Sequence, residues 1–395
     1  MAENKDKNQN GYTGAYSRIK RIRHIIVTIL VLFVIFAVFS YREDLTIENF
    51  RYLMKYVNVK PVVLGSEEKA QITFEPDSAT VTASFKEDLV VLNKSSLKIY
   101  DLTSKEILNS DLALLTPAVS VGEKYFAVYD LGSKYVGIFN SFSKLWENNF
   151  DYPVYDVALD HKGNFCVVTA IKDYTSALKV YNNSFENIFN WKSADKYAVT
   201  ADIHTDGDVY MSVGTIRNTT SGDMLSSLII LSASSDKVIK TVDFEGELAV
   251  KIRFNDEGNI VFLTDKALRF YSIDGKLKNE YFFNSKTLRK FDTGSDKTVL
   301  VLNENMVGKE HHLIIFDGDG NTYMECDVNS EITDLCISEA FTFVLGVEDI
   351  TVIDLKQKKQ KSYAAERSYR SVELLDEENV YLVYEGEALA VGVSK

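Results

Sequence analysis

The chain has 395 residues, with 44 Lys and Arg against 57 Asp and Glu for a net charge of −13, and 46% of it is hydrophobic. That composition excludes a disordered chain or a fibre, and the length suits two or three domains or one large repeat array. The charge is uneven. Residues 1–24 hold Lys5, Lys7, Arg18, Lys20, Arg21 and Arg23 against Glu3 and Asp6, so the remainder is strongly acidic. An acidic body is repelled by phosphate backbones, which argues against nucleic acid as a partner.

The first element in chain order is an apolar run. Ile25–Tyr41 holds no charged residue and spans roughly 26 Å as a helix, slightly short of a bilayer core, with Arg23 and Arg42 placed to snorkel at its ends. The competing expectation is a removed signal peptide, but Ala37-Val38-Phe39 puts Phe where a cleavage site needs a small residue. The sequence therefore predicts a cytoplasmic tail (1–24) and a single-pass signal anchor contacting the lipid bilayer (25–41). The basic cluster before the span keeps the N-terminus in the cytoplasm and the acidic bulk outside the cell membrane. Residues 42–68 read as a juxtamembrane helix and linker. Ile47, Phe50, Leu53, Met54 and Val57 fall at helical spacing after a Thr46 N-cap, either lying at the outer interface or forming a stalk.

From residue 69 to 395 the chain repeats. A short apolar strand followed by a turn begins at Leu97, Val136, Leu178, Leu228, Leu268, Leu313, Ile350 and Leu389, at intervals of 37 to 50 residues. Before each copy a polar turn leads into another apolar run, as in Asp160-His-Lys-Gly-Asn-Phe165 and Asn255-Asp-Glu-Gly-Asn-Ile260. A period near forty built of short strands predicts an all-β, eight-bladed β-propeller, with seven blades as the alternative count. The second unit divides into Pro117–Val121, Tyr125–Tyr129, Val136–Phe139 and Lys144–Asn149. The last holds three strands, Ser371–Leu375, Val380–Tyr384 and Ala388–Val393. Gln71–Phe74 is available to complete that blade and close the ring.

Chemical signals are thin. Asp317-Gly-Asp-Gly-Asn321 resembles the start of a calcium loop, yet Thr322 and Val328 stand where such a loop needs Gly and Glu, so a hairpin turn is expected. His311 and His312 are adjacent, point to opposite faces if on a strand, and are expected to be exposed loop residues without a metal. Cys166, Cys326 and Cys336 lie in apolar strand runs, too scattered for a disulfide framework or zinc site, and are expected to be small buried hydrophobes. No Walker loop, dinucleotide fingerprint or nucleophile elbow occurs, and Trp146 and Trp191 are too few for the Trp-rich outer strands of quinoprotein enzymes. No catalytic residue, metal or cofactor is assigned. Three strand connections look long, Ile171–Ala177, Ile216–Ser227 and Asn303–His312. Their candidate binding residues are Tyr174, Arg217, Asp223, Met224, Asn305, Met306, Glu310 and His311.

The basic stretch before the anchor, Leu45–Val57, Thr116–Gly132, Val167–Thr169 and Val180-Tyr181 through Phe189-Asn-Trp191 together resemble an uncharacterised clostridial family carried as a domain of unknown function. Its members are single-pass membrane proteins whose outer domain is a quinoprotein-like or WD40-like propeller. The resemblance implies the same architecture and brings no catalytic residue. The expected function is a membrane-anchored, extracytoplasmic, non-enzymatic propeller that scaffolds a protein partner of the cell envelope. The alternative is a sensor or binder of a small ligand such as a glycan.

Overall fold

In the computed structural model, which describes residues 23–36, 52, 62–64 and 71–393 apart from 220, 221, 236 and 304–309, the repeats form eight sheets. Each is one propeller blade of antiparallel strands, named a to d outward from the axis. Blades 1 to 7 cover residues 81–111, 117–149, 154–193, 197–245, 249–282, 287–329 and 332–364. Blade 8 takes strands a to c from Ser371–Leu374, Asn379–Tyr384 and Glu387–Gly392. All eight predicted anchors fall in c strands.

Patterning explains the layout. The b strands Asp88–Leu92, Phe126–Asp130, Ile260–Thr264 and Thr298–Asn303 are buried throughout, because a blade has a neighbour on both faces. The d strands Glu106–Asp111 and Lys144–Asn149 alternate exposed and partly buried residues, as expected at the rim. The apolar core is consequently a series of seams between consecutive blades. Ala158, Val168, Met211 and Ile229 fill the seam between blades 3 and 4, and Val301, Ile315, Leu335 and Ile353 that between blades 6 and 7. Most c–d turns are set by Asp or Asn side chains. Asp317 Oδ1 accepts the amides of Asp319 and Asn321 at 3.1 and 2.8 Å, so the calcium-like motif is the expected hairpin turn. Gly320 in that turn has φ +86°, and a Cβ there would strike the Phe270 ring.

Gln71–Thr73 completes blade 8. It runs antiparallel to strand c with Ile72 opposite Ala388, and Phe74 N donates to Gly386 O at 2.8 Å. Val62–Val63, within the stretch predicted as linker, adds two parallel pairs to the same strand at Val391 and Gly392. Ile72 and Phe74 are buried with Leu89, Val91, Tyr381 and Val383 in the seam between blades 8 and 1.

Ahead of the propeller, residues 23–36 form a helix whose apolar side chains, Phe33 and Phe36 among them, are exposed. Among the described residues no helix is long and apolar enough to cross a membrane. Residues 37–41 of the predicted span, the tail before residue 23 and all of the 46–56 helix except Tyr52 lie outside the described residues.

Because Ile72 is buried in the closing seam while Thr73 is exposed, Ile72→Ala is expected to cost about 2–4 kcal/mol and Thr73→Ala less than about 0.5 kcal/mol. Urea denaturation of both variants checks this.

Candidate functional site

Two surfaces are shaped by the strand geometry, the central channel and the face carrying the b–c and d–a connections. Five a strands contain a β-bulge at the same place, which turns the following residue inward: Asp156, Thr200, Lys251, Lys290 and Asp334. Carboxylates at these positions, or two residues further along the strand, clasp the next blade. Asp156 Oδ2 accepts the Ala201 amide at 3.1 Å, Asp202 Oδ2 that of Phe254 at 2.6 Å, Asp292 Oδ2 that of Ile337 at 3.0 Å and Asp334 Oδ2 that of Val372 at 3.1 Å. Lys251 lies 3.1 Å from Asp156 and Lys290 3.4 Å from Asp334. Burial pushes the Asp202 carboxyl up, against the pull of Arg253 and the Phe254 amide, and raises Asp292 likewise.

The seam between blades 8 and 1 is built differently. There the Thr82 hydroxyl donates to Glu373 Oε1 at 2.9 Å and lies 3.1 Å from Ser371 Oγ. Among the described residues no lysine or arginine forms an ion pair with Glu373. Burial first, then the Asp334 and Asp292 carboxylates, push Glu373 up to about 7 despite the two hydroxyls. Beside it opens a cavity of about 280 Å³ lined by Phe74, Pro76, Thr80, Thr82, Arg370, Ser371, Glu373, Tyr384 and Glu385 among others.

The predicted binding residues divide. Tyr174 begins strand c of blade 3, is exposed, and has Lys192 Nζ 5.3 Å from its ring centroid. Arg217, 3.5 Å from Asp195, ends strand b of blade 4 with Asn218, and exposed Met224 begins strand c, with Asp223 in the turn. These four share one face on neighbouring blades. Glu310 and His311 begin strand c of blade 6, two blades away. His311 is buried rather than a loop residue, and burial and Arg289 hold its pKa down, while His312 on the opposite face lies 2.9 Å from Asp327. Asn305 and Met306 lie outside the described residues. Two of the three supposed loops are mostly strand. Phe165–Ile171 and Tyr174–Tyr181 leave a two-residue turn, and Arg217 and Asn218 pair with Leu225 and Met224. β-Branched and long side chains extend the ladder past the end of the apolar run.

The same face carries exposed apolar residues that the loop argument missed. Leu115 (76% exposed), Tyr197 (60%), Leu131 (42%), Tyr155 (41%) and Tyr152 (36%) join Tyr174 across blades 2 to 4. Their connections are tied down. Asp130 Oδ1 accepts the Leu115 and Thr116 amides at 2.9 and 2.7 Å, Leu131 bridges to Val154, and Ser176 Oγ donates to Lys196 O at 2.8 Å. The available signal was aromatic residues inside turn segments, as in Asp151-Tyr-Pro-Val-Tyr155. Cys166 and Cys336 are buried and Cys326 partly so, all three as free thiols. No metal-holding cluster of His, Cys, Asp and Glu occurs among the described residues.

Among solved structures, a eukaryotic initiation factor is similar at 10% identity and TM-score 0.55, covering 80% of this chain and 89% of that one. BamB from Moraxella catarrhalis matches at 9% identity and TM-score 0.52, covering 83% and 99%, and the WD40 domain of SCAP from fission yeast at 10% and 0.51, covering 82% and 94%. At such identities the likeness is one of fold. No curated protein matches. A profile described as "Family of unknown function (DUF5711)" matches residues 64–391.

Since the folded state holds Glu373 protonated up to about pH 7, against 4.5 for the ordinary group, it binds more protons than the unfolded chain between those values. Its contribution to stability is then lost as pH rises through that window. Glu373→Gln removes the loss, so at pH 8 the variant is expected to exceed the native chain by about 1–2 kcal/mol after discounting for solvent screening. The gap should shrink toward pH 5, as read from urea midpoints at both pH values.

Proposed function

The chain belongs to the family of unknown function DUF5711, which matches it over residues 64–391, and on that footing we propose that it is a membrane-anchored, extracytoplasmic propeller serving as a protein-interaction module of the cell envelope. One observation carries the interaction role: exposed Leu and Tyr side chains gather on the b–c and d–a face of blades 2 to 4, on connections fixed by hydrogen bonds. Aromatic anchors on a rigid frame bind partners with little loss of conformational freedom. The anchor and orientation rest on the uncharged run Ile25–Tyr41, the exposed apolar side chains of the helix at 23–36, and the basic residues Arg18, Lys20, Arg21 and Arg23.

The propeller acts without catalysis in this reading. Burial raises the Asp202 and Asp292 carboxyls, an enzyme-like feature, but each spends an oxygen on a neighbouring blade's amide, as Asp156 and Asp334 also do. The small-ligand alternative draws no support from connections 171–177 and 216–227, which are largely strand, and its place moves to the cavity at the closing seam.

The test is crosslinking of the tagged full chain in intact source cells, followed by identification of attached proteins. Tyr155→Ser with Tyr197→Ser is expected to lose at least about tenfold of a specific partner's yield, whereas Val121→Ser on the opposite face retains it. Equal loss from either face removes the assignment of the surface.

A further inference from the structure

The cavity between blades 8 and 1 is a second candidate binding site, independent of the partner face of blades 2 to 4. Its lining includes Phe74, Pro76 and Val383 together with Thr82, Ser371 and Glu373, whose side chains are hydrogen-bonded to one another. Its charges do not balance. Arg370 is held by Glu385 at 2.8 Å at the exposed rim, which neutralises both. Glu373 receives only hydroxyl donors, and the channel behind it holds the carboxylates of Asp334 and Asp292. Lys290 is engaged by Asp334 at 3.4 Å. From the blade 8 b strand the facing residue is Tyr381, opposite Glu373, whose hydroxyl donates to Glu87 O at 2.8 Å. A half-buried carboxyl beside like charges and, among the described residues, paired with no cation is a receptor for one from outside.

We propose that this cavity binds a small amine, with the ligand's ammonium on Glu373, its hydroxyls toward Thr82 and Ser371, and its carbon body against Phe74, Pro76 and Val383. The volume of about 280 Å³ accommodates a single six-membered ring with substituents and excludes a large ligand. Binding forces Glu373 to give up its proton, so the site is weaker in acid. With Glu373 titrating at about 7, affinity is expected to fall about tenfold from pH 8 to pH 6, with about half a proton released per ligand at pH 7. The source of the amine, a free metabolite or the amino group of a sugar, shares this chemistry.

The experiment is calorimetric titration of the full chain in detergent with trans-4-aminocyclohexanol, and with trans-1,4-cyclohexanediol as its uncharged counterpart. Expected results are binding of the amine at least tenfold tighter than the diol, loss of that preference in Glu373→Gln, and proton release measured from two buffers of different ionisation enthalpy. Arg370→Gln at the solvent-exposed rim leaves Glu385 unpaired and is expected to tighten the amine severalfold, a test that leaves Glu373 itself unaltered. Equal binding of amine and diol, weaker amine binding by Arg370→Gln, or no heat from either probe at tens of millimolar would overturn the proposal. None of these outcomes bears on the partner face, whose test uses different residues and a different readout.

Discussion

Every blade of this propeller is apolar on two faces, and that one constraint governs the rest. A sheet whose b and c strands are almost wholly buried, such as Phe126–Asp130 and Tyr135–Phe139, is stable only between two neighbours. Eight such sheets in a row would leave two open faces and two unpaired edges, so the ring must close. Closure falls to Gln71–Thr73 and Val62–Val63, which supply the outer edge of blade 8 from the far end of the chain. Ile72 and Phe74 enter the core of the last seam directly.

The polar part of the design follows from the same ring. Inner strands approach one another around the axis, where side chains and amides of neighbouring blades come within bonding distance. Bulges after Val154, Ala198, Ala249, Leu288 and Ile332 turn polar residues inward, and aspartates there cap amides that no ladder reaches. Seams 3–4, 4–5, 6–7 and 7–8 share this carboxylate-to-amide clasp. The 8–1 seam, assembled from distant parts of the chain, has a hydroxyl-to-carboxyl contact and a cavity in its place. A joint that carries a cavity and a buried carboxyl in place of the clasp is a natural position for a ligand or proton to act.

Much of the fold was legible in the sequence, for definite reasons. Buried b and c strands write themselves as short apolar runs, and Asp or Asn at most c–d turns accepts the amides that end the hairpin, so both period and blade count could be read. Gln71–Phe74 was recognisable because blade 8 lacked one strand. What stayed hidden depends on register. A β-bulge leaves no mark in composition, so Asp156 and Asp334 looked like ordinary polar positions of alternating strands. Arg217 and Asn218 looked like loop because they follow an apolar run, yet they pair with Leu225 and Met224. Exposure of Tyr155 and Tyr197 at the starts of inner strands could not be told from burial, since either suits an aromatic residue. Glu373 acquires its character from burial first and then from Asp334 and Asp292, which lie 39 and 81 positions earlier in the chain.

Ring closure by the N-terminal strand is the claim on which the seam, the cavity and the stability of blade 8 all rest. Thr73 and Glu387 are opposed in the antiparallel ladder, next to the hydrogen-bonded pair of Phe74 and Gly386, where Cβ atoms come close enough for a disulfide. The most direct measurement is oxidation of a Thr73→Cys, Glu387→Cys variant, followed by peptide mapping and denaturation with and without reductant. The account predicts a near-complete crosslink between those two positions and a higher unfolding midpoint in the oxidised form. A chain that forms no such bond, or gains nothing from it, would contradict closure through residues 71–73.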